Sequence, residues 1–443
     1  MTVLSADDVA ALADGAVAHS RAGDAEVVAT AVTEELTRFA ANAIHQNVAE
    51  RSLWLRARVV AKNRVGTAAV GGGAGDELAD RVMAAAEQAR HVSSETDVSP
   101  LPEPDAGADA PVAYSASTAG ATPELRADHV AAIARLASAR GLAAYGFLST
   151  AQRQTAVANS KGVRRAATST QASAVVVVMG DAGSGYASRH SADFDSIDVE
   201  EMADEAVDTC LRNQHATATE PGTYEVVLAP YAVTDLLEHL AWVGFSALAV
   251  QEHRSFMRLG DKLMSESVTI RDDCRDRDLF PYPFDAEGVS TQPLDLIERG
   301  VCRAVVYDTP TARKDGVRST GHSLPQPNTW GPFASHLLML PGESSAPEMI
   351  GAVTRGLYVT RLWYVRDVDP LHTIITGMTR DGTFLIENGR LSRPVRDLRF
   401  TQSIVQALAD VRGISRERRL ELGEGENGVL APWLHLGHFA FTS

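Results

Sequence analysis

Residues Val268–His322, VTIRDDCRDRDLFPYPFDAEGVSTQPLDLIERGVCRAVVYDTPTARKDGVRSTGH, form the stretch whose reading decides the fold. Asp285-Ala-Glu-Gly288, Glu298-Arg-Gly300 and Asp315-Gly316 each place a glycine where the backbone needs φ > 0 between runs rich in β-formers. Such punctuation predicts a folded β domain. Further on, Asp381-Gly382 and Asn388-Gly389 predict hairpin turns on either side of the short run Thr383–Ile386, so the C-terminal half reads as mainly antiparallel β.

The N-terminal half reads differently. Ser5 is a good N-cap with Asp8 at the third helical position, predicting a helix through Val9, Leu12 and Val17 to a stop at Gly23. Runs rich in Val, Leu and Thr over 26–37, 53–61 and 64–70 predict strands, and the helical spacing of Leu78, Val82, Ala85 and Ala89 predicts a second helix over 76–91. Four prolines make 93–112 a surface excursion within the first domain. An amphipathic helix over 124–140 follows, then four β segments at 142–150, 154–159, 164–179 and 186–193, and a helix over 199–211. The run Val175–Val178 is too apolar for a strand with one wet face, so it belongs to the sheet centre or lies under a helix. Glu220-Pro-Gly222 breaks the chain, and a strand at 223–229 leads into a helix over 231–249. The expected architecture is α+β: an N-terminal α/β domain with a mostly antiparallel sheet over 1–221, and a β-rich domain over 222–443.

Composition bounds the function. The 443 residues are 45% hydrophobic and 22% charged, enough for two cores. A net charge of −16 and a pI near 5.3 argue against a phosphate-neutralising surface, so nucleic acid is not an expected partner. No run reaches the roughly 18 apolar residues that span a bilayer, and Asp7 and Asp8 stand where a signal peptide would be basic. A cytoplasmic protein without a membrane partner is the expectation.

Catalytic motifs are scarce. A zincin-type site needs two histidines one helical turn apart and a carboxylate, and no such pair occurs. The three cysteines, Cys210, Cys274 and Cys302, are widely spaced and read as buried thiols rather than a disulfide framework or zinc knuckle. His435-Leu-Gly-His438 lies in an apolar terminal strand, where residues three apart point to opposite faces, so packing is expected. Asp272, Asp273, Asp276 and Asp278 alternate with Arg271, Arg275 and Arg277 and lack the EF-hand glycine and distal glutamate, which predicts a solvated, internally paired loop. Ser319-Thr-Gly-His322 lacks a nucleophile elbow, and nothing local nominates an acid for the histidine. The glycine clusters at 71–73 and 183–185 read as turns.

The order of blocks is more specific than any one of them. Asp272-Asp273, Phe284-Asp-Ala-Glu-Gly288, Thr311-Ala-Arg313 and Ser319-Thr-Gly321, with Arg355-Gly-Leu-Tyr358 and Ile386-Glu-Asn-Gly389 beyond, resemble the C-terminal domain of the TldD/TldE (PmbA) family, known as modulators of DNA gyrase and metallopeptidases. The resemblance is strong from about 253 to 394 and weaker before it. It implies a ligand helix carrying His-Glu-x-x-x-His in catalytic TldD-type chains, with a later cysteine as third zinc ligand. Here the matching stretch is Leu237-Glu-His-Leu-Ala-Trp-Val-Gly244, which places Glu238 or His239 at the first histidine and Val243 or Gly244 at the second, and no cysteine follows Cys302. The chain therefore resembles the TldE (PmbA) half. That implies no metal on this chain, zinc on a TldD-like partner in a heterodimer, and an unfolded peptide as substrate, and it leaves a homodimer open for the chain alone. Ser319, Thr320, Gly321 and His322 are the expected peptide contacts, and His239 is the sole catalytic candidate. Two alternatives stand beside this: a divergent stand-alone peptidase or amide hydrolase in secondary-metabolite processing, and a peptide-binding scaffold without catalysis.

Overall fold

A computed structural model describes residues 4–21, 23–72, 75–96, 98–107, 110–423 and 428–443. Its first part orders α1 (Ala6–Ala18), β1 (Asp24–Ala40), β2 (Ala43–Ala61), β3 (Arg64–Gly71), α2 (Gly75–Val92), α3 (Ala116–Ala119), α4 (Pro123–Ala139), β4 (Ala143–Asn159), β5 (Arg164–Met179), β6 (Ser184–Ser191) and α5 (Val199–Arg212). Then come β7 (Gly222–Leu228), α6 (Pro230–Val243), α7 (Ala247–Gln251), β8 (Ile270–Asp272), β9 (Leu294–Glu298), β10 (Val301–Cys302), α8 (Thr309–Asp315), β11 (Leu337–Met339) and α9 (Ala346–Ala352). The chain ends with β12 (Arg355–Asp369), β13 (Ile374–Glu387), β14 (Arg390–Val395), β15 (Arg399–Ser403), α10 (Ile404–Ala409), β16 (Val411–Leu422) and β17 (Gly428–Phe441). The fold is α+β. Among the described residues no helix is long and apolar enough to cross a membrane.

The first sheet is antiparallel throughout, in the order β3-β2-β1-β4-β5-β6. Strand periodicity gives it two different faces. Val27, Ala29, Leu55 and Ala156 point to one side, where α1 and α2 cover them, and α4 and α5 cover Ala174, Val176 and Val178 farther along. The alternate residues Val28 and Val157 point the other way and pack on Phe284, which comes from the C-terminal half. The second sheet is mixed: β7 runs parallel to β12, and β11 to β17, while the other pairs are antiparallel. Because β17 pairs with both β15 and β7, the strands β17-β15-β13-β12-β7 close a ring around which the largest core is built, with α6 packed on it.

Several elements differ from expectation for identifiable reasons. The capping box of Ser5 and Asp8 forms, but α1 ends at a His19 cap, well before Gly23. Residues 143–159 make one strand rather than two, because β4 pairs continuously with β1 on one side and β5 on the other. The helix expected to run to 249 stops at Gly244: a Cβ there would fall inside the Phe256 ring, and α7 starts separately. Asp315-Gly316 closes α8, with Gly316 as its left-handed cap at φ 69°, so it is no hairpin turn. Asp381-Gly382 lies inside β13, opposite a register shift between Val359 and Arg361. Asn388-Gly389 does turn β13 into β14.

The two halves are fastened by buried charge. Arg58 Nη2 reaches Glu26 Oε2 at 3.1 Å within the first sheet and Glu287 Oε1 at 2.9 Å in the C-terminal half. One guanidinium faces two carboxylates in a site without water access, and burial first, with Glu287 adding repulsion, lifts the Glu26 carboxyl to about 7 against the pull of Arg58. The proline-rich excursion joins in through Asp105, which accepts from Ser290 N at 2.9 Å, and through Val98 O, which accepts from Arg313 Nη1 at 3.0 Å.

Candidate functional site

α6 has two faces. Val233, Leu236, Leu237, Leu240 and Ala241 enter the core of the second sheet. Thr234, Asp235, Glu238, His239 and Trp242, spaced by one, three and four as one side of a helix requires, line a cavity of about 430 Å³. The β12 segment Arg361–Arg366 and the end of β16, Glu421 and Leu422 with the following Gly423, form its other walls, with Tyr186 from the first sheet. His239 Nδ1 lies 3.0 Å from Asp367 Oδ1. Burial works to lower the imidazole, but the bond to Asp367 and the charges of Asp367, Asp235 and Glu238 outweigh it and raise its pKa. Glu238 packs so closely on Gly423 that a Cβ there would overlap its carboxylate.

Polar groups from both halves meet behind this cavity. Ser188 Oγ donates to Glu421 Oε2 at 2.6 Å, His190 Nε2 stands 3.8 Å from the same oxygen, and Glu421 Oε1 has no partner. Burial, opposed by the Ser188 bond and by Arg419 and Arg189, pushes the Glu421 carboxyl up to about 8. Burial also drives His190 down to about 3, so this imidazole is neutral. Arg419 Nη1 bridges Glu205 Oε1 at 2.7 Å and the Tyr231 hydroxyl at 2.8 Å.

A second cavity, of about 360 Å³, opens between the first sheet and the loops of the C-terminal half, and Gly321 and His322 line it. Ser319 and Thr320, expected to contact peptide with them, instead serve a local turn: both hydroxyls donate to Tyr307 O, at 3.1 and 3.2 Å, and Thr320 Oγ1 accepts from Tyr307 N at 2.8 Å. Gly321 is irreplaceable there, since φ is 74° and a Cβ would overlap the backbone of Ser290. His322 Nδ1 sits 2.9 Å from Thr320 Oγ1, while Nε2 faces Asp272 Oδ1 at 3.1 Å. His336 Nδ1 approaches the same oxygen at 3.5 Å, and its backbone N–H donates to Asp272 Oδ2 at 2.9 Å. The side-chain atoms stand at ion-pair distance without an aligned hydrogen bond among them. Burial penalises the Asp272 charge, yet the two histidines outweigh it and hold the carboxyl well below the usual range.

So Asp272 is not part of a solvated loop; it is fully buried, while Asp276 and Asp278 pair with Arg418 and Asp273 with Arg275. The acid partner that no local sequence supplied for His322 lies fifty residues upstream. The order of the Asp-Asp and Ser-Thr-Gly-His blocks was the available signal, because only a tertiary contact explains why both would travel together. His435 and His438 take separate partners, Glu225 Oε1 at 2.7 Å and Asp410 Oδ2 at 3.3 Å, across a bulge in β17.

Comparison with known proteins settles the family. Residues 221–443 match the model of the PmbA/TldA metallopeptidase C-terminal domain, and residues 113–214 match that of the central domain. The chain belongs to the PmbA/TldD family. It is 28% identical over 244 residues to a metalloprotease of Methanothermobacter thermautotrophicus, covering 53% of this chain and 52% of that one. It is 28% identical over 179 residues to the metalloprotease PmbA of Escherichia coli, covering 39% and 36%. About half the length, or less, of these curated relatives is thus spanned. The crystal structure of TldE from Thermococcus kodakarensis superposes with a TM-score of 0.86 at 18% identity, covering 99% of this chain and all of that one, a likeness of fold.

On α6, His239 Nδ1 faces Asp367, Val243 is buried in the hydrophobic core and Gly244 has no side chain, so the helix presents one imidazole to its cavity. The cysteines are buried elsewhere, and burial pushes the Cys274 thiol up to about 12. Among the described residues, no group of three or more His, Cys, Asp or Glu side chains is arranged to hold a metal ion.

Proposed function

We propose that this chain is the TldE-like half of a two-chain peptidase: it pairs with a TldD-like chain that carries the zinc and helps enclose a cavity in which unfolded peptide is cleaved. The observation that carries the reading is α6 itself, which offers a single imidazole to its cavity while core packing and a glycine take the neighbouring ligand positions. A mononuclear zinc with one protein ligand loses most of its binding free energy. The role left to this chain is to bind and position. Both cavities suit it, being open, lined by a mixture of aromatic and polar groups, and built at the junction of the two halves.

The test is reconstitution. The purified chain alone should release no fragments from an unfolded peptide and contain no stoichiometric zinc; mixed with a TldD-like chain it should form a complex that does. About one zinc per isolated chain after gel filtration, or turnover without the partner, would overturn the proposal.

A further inference from the structure

The α6 cavity holds polar atoms that its own residues leave without a hydrogen-bond partner. Its cations are already engaged: Arg361 pairs with Asp381 at 2.8 Å and lies 4.1 Å over the Tyr186 ring, Arg366 stacks 4.6 Å from the Tyr364 ring and donates to Val365 O, and His239 faces Asp367. Of its acids, Asp235 and Glu238 on α6 have partners of their own, and Glu421 stands on β16. Two lining atoms, each on a side chain more than nine-tenths buried, have no partner: Glu421 Oε1 and Thr234 Oγ1. One is an acid oxygen and the other a hydroxyl that can accept. Both can accept, and a group carrying several N–H bonds and a positive charge supplies a donor to each while favouring the ionised form of the acid.

We propose that the α6 cavity is a recognition site for a primary ammonium group, such as the free amino terminus of a peptide, with Glu421 Oε1 and Thr234 Oγ1 as its acceptors. This deepens the peptide-processing reading and rests on it for the identity of the ligand. The Trp242 ring also lines the cavity.

Binding should also move a proton. The groups around the Glu421 carboxyl are Tyr186, Ser188, Arg189 and neutral His190 of β6, Glu205 of α5, Tyr231 and Glu238 of α6, Arg361 of β12 and Arg419 of β16. In that setting burial keeps the carboxyl protonated up to about pH 8. An arriving ammonium favours the carboxylate, so the site releases a proton to buffer at pH 7 and affinity rises with pH toward 8.

Titration calorimetry on the full chain tests this with tetra-alanine amide, its N-acetylated form and butylamine, each in two buffers of different ionisation enthalpy. We expect the free-amine peptide to bind at least about tenfold tighter than the acetylated one, with proton release at pH 7 that disappears in Glu421→Gln. Thr234→Val, which keeps the side-chain volume, should lose part of the same preference, and far-UV circular dichroism verifies that both variants are folded. Equal or tighter binding of the acetylated peptide, which would mark a protonated Glu421 donating to a carbonyl, overturns the inference, and so does absence of binding by all three probes. Butylamine binding without peptide binding would keep the ammonium site and remove the peptide reading, whereas zinc in the isolated chain would remove the two-chain reading without touching this result.

Discussion

Two of the molecule's acid–histidine arrangements differ in almost every physical respect. Asp272 with His322 and His336 is assembled from three distant segments, all buried, with a backbone amide fixing the carboxylate. His239 with Asp367 joins a helix to a strand at a cavity wall, with side chains 17% and 34% exposed. Removing one member of a buried set strands the remaining charge in a medium that cannot solvate it, whereas water replaces a lost partner at the rim. The first arrangement is therefore a strut of the fold, and the second is an adjustable part of a binding surface. Proximity of a histidine to an acid does not by itself say which of the two one is looking at; burial does.

The largest effect should come from breaking the buried set. Asp272→Ala leaves two imbedded imidazoles and a backbone N–H without their common acceptor, and about 3–5 kcal/mol of stability should be lost. Urea unfolding measures it. A loss below about 1 kcal/mol, comparable to that from Asp367→Ala, would erase the distinction between strut and rim.

Next in size is a pH effect at the other buried cluster. Glu26 has a folded pKa of about 7, raised from 4.5, so between these values the folded state binds more protons than the unfolded one and stability falls as pH rises. Over the whole window this amounts to about 3 kcal/mol from Glu26. Glu26→Gln should remove that share of the slope between pH 4.5 and 7, while Glu421, raised in the same sense, keeps its own. An identical slope in both proteins would mean that Arg58 holds Glu26 ionised across the range.

Gly316→Val should rank third. The residue sits at φ 69° with open space around its Cβ position, so only the backbone penalty remains, on the order of 1–2 kcal/mol. Because Gly316 caps a short helix instead of turning a hairpin, the damage should stay local. Thermal unfolding that shows a loss several times larger would point to a strand register depending on it.

What could be read from the sequence was mostly local. The Ser5–Asp8 capping box, the amphipathic spacing of α4 and the Asn388-Gly389 turn are decided within a few residues of themselves, and each is found where expected. The first ten residues of β2 escaped because almost all are exposed and leave no apolar trace; only pairing with β1 keeps them extended. The end of α6 depends on Phe256, and the place of Asp381-Gly382 within β13 on its β12 partner. The sites were harder still. Asp272 and His336 meet only through the pairing of β8 with β11, His322 joins them from a loop held by Phe333, and Glu421 enters the α6 cavity only because β16 pairs with β17.

The smallest effect should be that of His239→Ala, and its smallness is informative. The imidazole has one named partner, Asp367, which is one-third exposed and can turn to water, so the stability change should stay within about 1 kcal/mol. If the metal resides on a partner chain, the activity of the mixed complex should remain within a few-fold, and what change there is should appear in KM, because a residue on the cavity wall contributes to binding equally before and at the transition state. Steady-state kinetics of the reconstituted pair decide it. A large loss confined to kcat, with assembly intact, would mean that His239 acts on the reacting atoms, and would move catalysis onto this chain.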